Sequence, residues 1–269
     1  MTATATSPAE LLFRDTEGKP TSLEDLIDDG LDGAYRDRIP ALIGLLHDGA
    51  PRDQLYACMV LTAWGVAEGF TVLIGWAEQP GSVPWAGHPV EIDRRQGADA
   101  AFERLADAVR SSLQLDASPD LQRRQQVAAR ALLGLYDRVF FGQGMQAVAS
   151  NAAIRAGCAD AIAAAAAAAV RASTAPTQPF DLGWQAALLL LPLARIDDAR
   201  AAELARELLR AQSGRTRVAR EVALSLGRGT GVATHRVLEE LASSPVEAVA
   251  SDAAAALVRR AQATGRGCE

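Results

Sequence analysis

The sequence predicts an all-α protein, an α-α superhelix of stacked antiparallel helix pairs, from three observations. Alanine, the strongest helix former, occupies 56 of 269 positions, well above ordinary usage. Aromatic residues make up only 5%, and residues that favour strands never form alternating runs. Apolar side chains instead recur with the spacing i, i+3, i+4, i+7, which marks one face of a helix. An irregular helical bundle is the alternative architecture, because periodicity does not determine tertiary stacking.

The first three helices are predicted between residues 39 and 77. The first apolar stripe consists of Ile39, Leu42, Ile43 and Leu46. Gly49 is expected to end that helix, and Pro51 suits the first turn of the next. Residues 55–63 are apolar nearly all round, so the second helix should be the most buried. A third stripe begins at Phe70, and the short links predict antiparallel neighbours.

Further stripes follow along the chain, and capping residues accompany some of them. Representative members are Phe102 and Val109, Ala128 and Leu135, Ala201 and Leu208, and Val246 and Leu257. Ser7 and Ser244 are each followed by Pro and, three positions on, by Glu. This spacing is typical of a capping box at a helix start. We therefore expect helices to begin near both serines.

Two stretches resemble variants of one repeating unit. Residues 38–65 read RIPALIGLLHDGAPRDQLYACMVLTAWG, and residues 235–260 read HRVLEELASSPVEAVASDAAAALVRR. Each has an apolar first helix, a tight turn with Pro, and a second helix with small residues. Both resemble HEAT repeats, which stack as helix pairs. The resemblance implies an α-solenoid and, in general, adaptor work. The Asp and Arg that often bridge neighbouring HEAT repeats are not evident at corresponding positions.

Charge and proline content predict the domain organisation. The net charge is -6, and residues 1–33 account for it, with eight acids against Arg14 and Lys19. We expect this acidic segment to hold short helices and residues 34–269 to form the solenoid. Pro176 and Pro179 make residues 173–180 a candidate break between subdomains. Acids and bases balance after residue 33, which does not favour nucleic acid as a partner.

The sequence predicts a cytoplasmic location. Three widely separated cysteines do not suggest a disulfide framework. The first ten residues lack the basic and apolar regions of a secretory signal. The most apolar runs, residues 161–170 and 186–191, fall short of the roughly 20 residues that a spanning helix needs. No membrane partner is therefore expected.

Residues 80–97 form the strongest candidate for a partner-binding site. A connection this long is usually functional or disordered. It contains Trp85, His88, Asp93, Arg94 and Arg95, a mixture of an aromatic anchor and both charge signs. In the alternative interpretation, Trp85 packs against the helices and holds the loop in place, while the charged side chains of the loop are only solvated.

Two further sets of residues are candidates for binding. Tyr136 and Arg138 lie in an aromatic-rich segment that is either core or an interface patch. The stretch 206–236 holds many arginines and few acids, so it is a candidate anion-binding surface or an ordinary solvated face. The anion-binding candidates are Arg215, Arg217, Arg220 and Arg228.

No catalytic or metal-binding motif is recognisable. The three histidines are distant from one another, and no ligand spacing or nucleophile elbow occurs. We expect no cofactor. The leading hypothesis is a non-catalytic module or adaptor that binds another protein, and an immunity or antitoxin-like inhibitor is one version of it. Alternatives are a HEAT-like nucleic-acid-binding or DNA-processing protein, and a small-molecule enzyme with His88 and Asp93 as acid and base.

Overall fold

A computed structural model describes residues 7–116, 118–175 and 177–265. The chain is 69% helical, with one two-stranded hairpin among the described residues, so the predicted all-α class is confirmed. It divides into two compact units, residues 1–132 and 133–269.

Unit 1 consists of short helices, two single 3-10 turns and the hairpin. The 3-10 turns are Arg36–Arg38 and Pro80–Ser82, and the strands are β1 (Ile92–Asp93) and β2 (Ala98–Asp99). The helices are α1 (Pro8–Leu12), α2 (Leu23–Leu31), α3 (Ile39–Asp48), α4 (Pro51–Ala63), α5 (Ala67–Glu78), α6 (Ala101–Ser112) and α7 (Pro119–Leu133), the last of which ends at the boundary of the unit.

Helix α4 is the centre of unit 1. Every residue from Leu55 to Ala63 is buried, as the apolar run predicts. Helices α1, α2, α3, α5 and α6 all contact it. Helices α1 and α2 therefore pack onto the body of unit 1, and the predicted boundary at residue 33 does not separate them from it. The reason is that Leu12 and Leu26 are completely buried.

Helix α5 approaches α4 closely at one glycine. A Cβ atom at Gly69 would lie 2.6 Å from the backbone nitrogen of Thr62 and 2.8 Å from the carbonyl carbon of Leu61. Only glycine leaves room for this approach. The thiol of Cys58 lies 3.5 Å from the Gly69 carbonyl oxygen and donates a hydrogen bond to it.

Among the described residues of unit 2, helices are the only regular secondary structure. Its helices are α8 (Gly144–Ser150), α9 (Ala152–Ala172), α10 (Leu182–Leu188), α11 (Leu190–Ala194), α12 (Asp198–Ala211), α13 (Thr216–Leu226), α14 (Val232–Ala242) and α15 (Glu247–Gly265). Residues 173–180, predicted as a subdomain break, lie inside this unit. Helix α9 contacts α10, α11 and α12 across that segment, so the segment does not separate two cores.

In unit 2, helices that are separated in the chain by one or two other helices pack against each other. Helix α12 contacts α14, and α13 contacts both α10 and α15. Three ion pairs join these neighbours: Arg217 with Asp181 at 3.3 Å, Arg220 with Asp252 at 2.6 Å, and Arg206 with Glu240 at 2.7 Å. The partners are separated by 36, 32 and 34 residues.

Among the described residues, α9 is the one helix that is long and apolar enough to span a membrane by length and composition. The apolar run predicted at residues 161–170 is too short, because the apolar character of this helix extends beyond it. Cys158 has non-helical angles, φ -128° and ψ 20°, so α9 is kinked there. Its contacts with α8, α10, α11 and α12 are those of a packed core helix.

The two capping predictions have different outcomes. Ser7 forms the full capping box with Glu10 at the start of α1, which confirms that prediction. A helix does begin near Ser244, since α15 starts at Glu247, but Ser244 is not its N-cap residue, so the predicted capping box is wrong there. The Ser244 hydroxyl instead accepts a hydrogen bond from the Val246 backbone nitrogen, two residues on, and so closes a turn before the helix.

Candidate functional site

The loop of residues 80–97 is held to unit 1 by Trp85. This side chain is only 2% exposed. Its ring meets the ring of Trp76 edge-on, with centroids 4.9 Å apart, and lies 6.2 Å from that of Phe102. Trp85 therefore fills the space beneath the loop, as the structural alternative predicted. Its selection as a partner-contacting residue is corrected, because a buried ring does not reach a partner.

A second anchor joins the same loop to α4. Glu91 accepts a short hydrogen bond from the hydroxyl of Tyr56. Arg52 donates to that hydroxyl at 2.8 Å and lies 3.5 Å from the Glu91 carboxylate. Burial and the hydrogen bond to Glu91 raise the pKa of Tyr56. The Glu91 charge is therefore satisfied within the molecule.

Between these anchors and α6 the chain forms a tight hairpin. Ile92 pairs with Asp99, and Asp93 pairs with Ala98. The Asp93 carboxylate accepts hydrogen bonds from the backbone nitrogens of Arg95 and Gln96, at 2.9 and 2.7 Å. Asp93 is thus a turn-stabilising residue. Because its carboxylate already accepts these backbone hydrogen bonds, Asp93 is poorly placed to act as the catalytic acid or base of the enzyme hypothesis.

The first strand residue and the turn of the hairpin are open to solvent. Ile92 is 59% exposed, one of the most exposed large apolar residues in the described chain. Arg94 and Arg95 are exposed, and neither makes an ion pair with a described residue. His88 is also exposed, beyond the buried Trp85. We call Ile92, Arg94 and Arg95 the loop tip. Sequence analysis named the arginines but missed Ile92, because an isoleucine in a short strand is ordinarily half-buried.

Tyr136 and Arg138 do not form a common patch. Tyr136 is completely buried, stacks on Phe141 at 5.5 Å and donates a hydrogen bond to the Gln185 carbonyl. The prediction that Tyr136 contacts a partner is corrected for this reason: its hydroxyl is used inside unit 2. Arg138 is exposed, and its guanidinium donates to the Gly134 carbonyl one turn back.

Most arginines of the stretch 206–236 lie beside a carboxylate. Asp181 lies 3.3 Å from Arg217 and 3.9 Å from Arg215, and Asp252 pairs with Arg220. The Arg217 guanidinium also lies 4.6 Å above the ring of Trp184. Arg228 is exposed and makes no ion pair with a described residue. An anion would have to displace aspartates from three of the four candidates.

The turn between α13 and α14 is structural. A Cβ atom at Gly231 would lie 1.9 Å from the Asp198 carboxyl carbon. Asp198 accepts hydrogen bonds from the backbone nitrogen and hydroxyl of Thr234, and Arg260 donates to the Gly231 carbonyl at 3.0 Å. The glycine-rich turn is thus packed against buried polar groups, as an interhelix connection.

The described residues do not assemble a metal centre or a reactive thiol. Across residues 7–116, 118–175 and 177–265, no three His, Cys, Asp or Glu side chains are grouped to hold a metal ion. Burial raises the pKa of the Cys58 thiol to about 12, so the nucleophilic thiolate is strongly disfavoured. Two surface clefts lie in unit 1, and neither is lined by the 80–97 loop.

Comparison with known proteins found no match. No protein family matches the chain, and no curated protein or solved structure has significant similarity to it. What the chain does must therefore be inferred from its own geometry.

Proposed function

We propose that the chain is a non-catalytic protein-binding module whose recognition element is the loop of residues 80–97. One observation carries the proposal. The loop is fixed to the helices at Trp85 and Glu91, while its tip leaves Ile92, Arg94 and Arg95 exposed.

The physical reason is the cost of ordering a loop on binding. A flexible loop loses conformational freedom when a partner docks, and that loss weakens the complex. Trp85 and the Glu91–Tyr56 hydrogen bond hold the loop in place before any partner arrives. An exposed isoleucine, followed two and three residues later by exposed arginines, then offers apolar area and directional hydrogen-bond donors in one short segment, and arginine is enriched among residues that dominate interfaces.

The proposal places this loop on a HEAT-like helical scaffold. Ion pairs between unit 2 helices, with partners 32 to 36 residues apart, are what stacked helix pairs would produce. Such scaffolds present extended helical surfaces to protein partners. The acidic first 33 residues fit the immunity or antitoxin-like version, in which an acidic surface blocks a basic toxin.

A protein partner is favoured over the two alternatives. Nucleic acid would need the two arginines of α13, which are paired with Asp181 and Asp252. An active site would need a cavity with an available acid and base. His88 is exposed, and Asp93 is bound by backbone amides.

The test is comparative affinity purification from the source cell. The bait variants are the wild type, a tip variant (Ile92→Ser, Arg94→Ala, Arg95→Ala) and a control variant (Val232→Ser, Arg228→Ala, Arg236→Ala). The control removes one exposed valine and two exposed arginines from unit 2. We expect a stoichiometric protein that the wild type and the control retain and the tip variant loses.

Binding of the recovered protein is then measured with purified components. A loss of at least tenfold in affinity for the tip variant alone, with unchanged thermal unfolding, is expected. Equal recovery of the protein by the wild type and the tip variant would show that the loop is not part of the interface. Recovery of nucleic acid with no stoichiometric protein would favour the nucleic-acid alternative.

A further inference from the structure

A cleft of about 590 Å³ lies in unit 1 where several helix ends converge. Helices α2 and α4 end beside it, the segment after α6 crosses it, and α7 begins there. Its apolar lining comes from Leu31, Trp64, Leu115 and Leu121. A volume of this order is typical of small-molecule sites.

Charges of both signs line the same cleft without neutralising each other. Arg36 and Arg124 supply two guanidinium groups, and Asp32 and Asp116 supply two carboxylates. No oppositely charged group of a described residue lies within the 4.0 Å ion-pair distance of any of these four side chains. One N–H of Arg36 donates to the Trp64 carbonyl at 3.3 Å, and its other donors remain available.

Four other arginines of unit 1 are placed differently. Arg52, Arg104, Arg110 and Arg123 each lie within 4.0 Å of a carboxylate. The cleft therefore combines unpaired cations and unpaired anions with an apolar wall.

Ser118 adds a polar group at the same place. Its hydroxyl oxygen accepts a hydrogen bond from the Leu121 backbone nitrogen at 3.2 Å, which caps α7. The hydroxyl hydrogen is free to rotate toward an acceptor in the cleft. A ligand carboxylate near Arg124 is such an acceptor.

We propose that this cleft binds a free α-amino acid with an apolar side chain. The ligand carboxylate pairs with Arg36 and Arg124, and its ammonium group pairs with Asp32 or Asp116. Its side chain packs on Leu115 and Leu121. A ligand with only negative charge, such as inorganic phosphate, is disfavoured because the two aspartates repel it. This site is separate from the proposed protein-binding loop.

The test is isothermal titration calorimetry of the full chain with L-leucine. Two partial analogues define the charge requirement: isocaproate lacks the ammonium group and isoamylamine lacks the carboxylate. We expect saturable binding of L-leucine, and binding of each analogue that is weaker by tenfold or more. Saturable binding of isocaproate as tight as that of L-leucine would overturn the zwitterion assignment.

Variants locate the site. Arg124→Gln and Asp32→Asn are each expected to weaken L-leucine binding at least tenfold while thermal unfolding is unchanged. The matched control is Arg123→Gln, because Arg123 is the exposed neighbour that pairs with Asp120 at 3.8 Å. Equal loss in the control, or no saturable binding of any of the common apolar amino acids, would overturn the proposal.

Discussion

Tyr136 and Gln185 hydrogen-bond to each other in both directions. The Tyr136 hydroxyl donates to the Gln185 carbonyl at 2.9 Å, and the Gln185 side-chain nitrogen donates to the Tyr136 carbonyl at 2.7 Å. The Gln185 side-chain oxygen accepts from the Phe141 backbone nitrogen at 2.7 Å. One buried amide therefore satisfies the irregular backbone between α7 and α8, where helical hydrogen bonds are missing.

Replacement of Gln185 by Leu is expected to destabilise the chain by roughly 2–4 kcal/mol, because it removes the buried hydrogen bonds to the Tyr136 carbonyl and the Phe141 backbone nitrogen. Urea unfolding followed by circular dichroism measures this change. The control is Gln143→Leu, at an exposed position of the same unit. A similar loss of unfolding free energy in both variants would show that the hydrogen bonds of Gln185 do not contribute specially to stability.

Two glycines of α5 should respond to alanine with opposite signs. Gly69→Ala is expected to lower the free energy of unfolding by more than about 1 kcal/mol, because its Cβ would overlap the α4 backbone. Gly75→Ala should raise it by about 0.5–1 kcal/mol, since nothing lies within 4 Å of that Cβ and alanine favours the helix. Chemical denaturation of both variants is the measurement. A stabilising Gly69→Ala would contradict the close helix contact.

Trp85→Ala is expected to cost roughly 3–5 kcal/mol, as for other large aromatic truncations in a core. Trp85→Phe should cost clearly less, because the Trp85 indole nitrogen is buried without a hydrogen-bond partner among the described residues. Thermal unfolding compares the two. Equal losses would indicate that the indole nitrogen makes an important interaction.

The stability of Asp99→Asn should depend on pH. Burial raises the pKa of Asp99 above its ordinary value, so ionisation of this carboxyl opposes folding. The penalty is absent below the ordinary pKa of about 4 and complete above the raised value. We expect Asp99→Asn to be more stable than the wild type in urea at neutral pH, and the difference to vanish in acid. A gain of the same size at both pH values would exclude ionisation as the cause.

The Cys58 thiol should be unreactive in the folded chain. Burial raises its pKa to about 12, which leaves almost no thiolate at neutral pH. Iodoacetamide labelling followed by peptide mass spectrometry should find Cys58 unmodified in buffer and modified in denaturant. Rapid labelling of the native chain at Cys58 would mean that α4 opens locally.

The candidate sites were only partly predictable. The sequence indicated the 80–97 loop, because three prolines interrupt the helical spacing there. It did not indicate that Glu91 would bond to Tyr56, 35 residues away. It also did not reveal the pairing of Arg220 with Asp252, because such a contact depends on which helices become neighbours.

The sequence by itself determined that the chain is helical, that α4 is buried nearly all round, and which face of its neighbours is buried. Those properties follow from local spacing, since apolar side chains on one side of a helix must leave water. Only the tertiary structure decided that Trp85 and Tyr136 are internal while Ile92 is exposed. The burial of a single side chain in a loop depends on segments distant in sequence, and no local pattern records their positions.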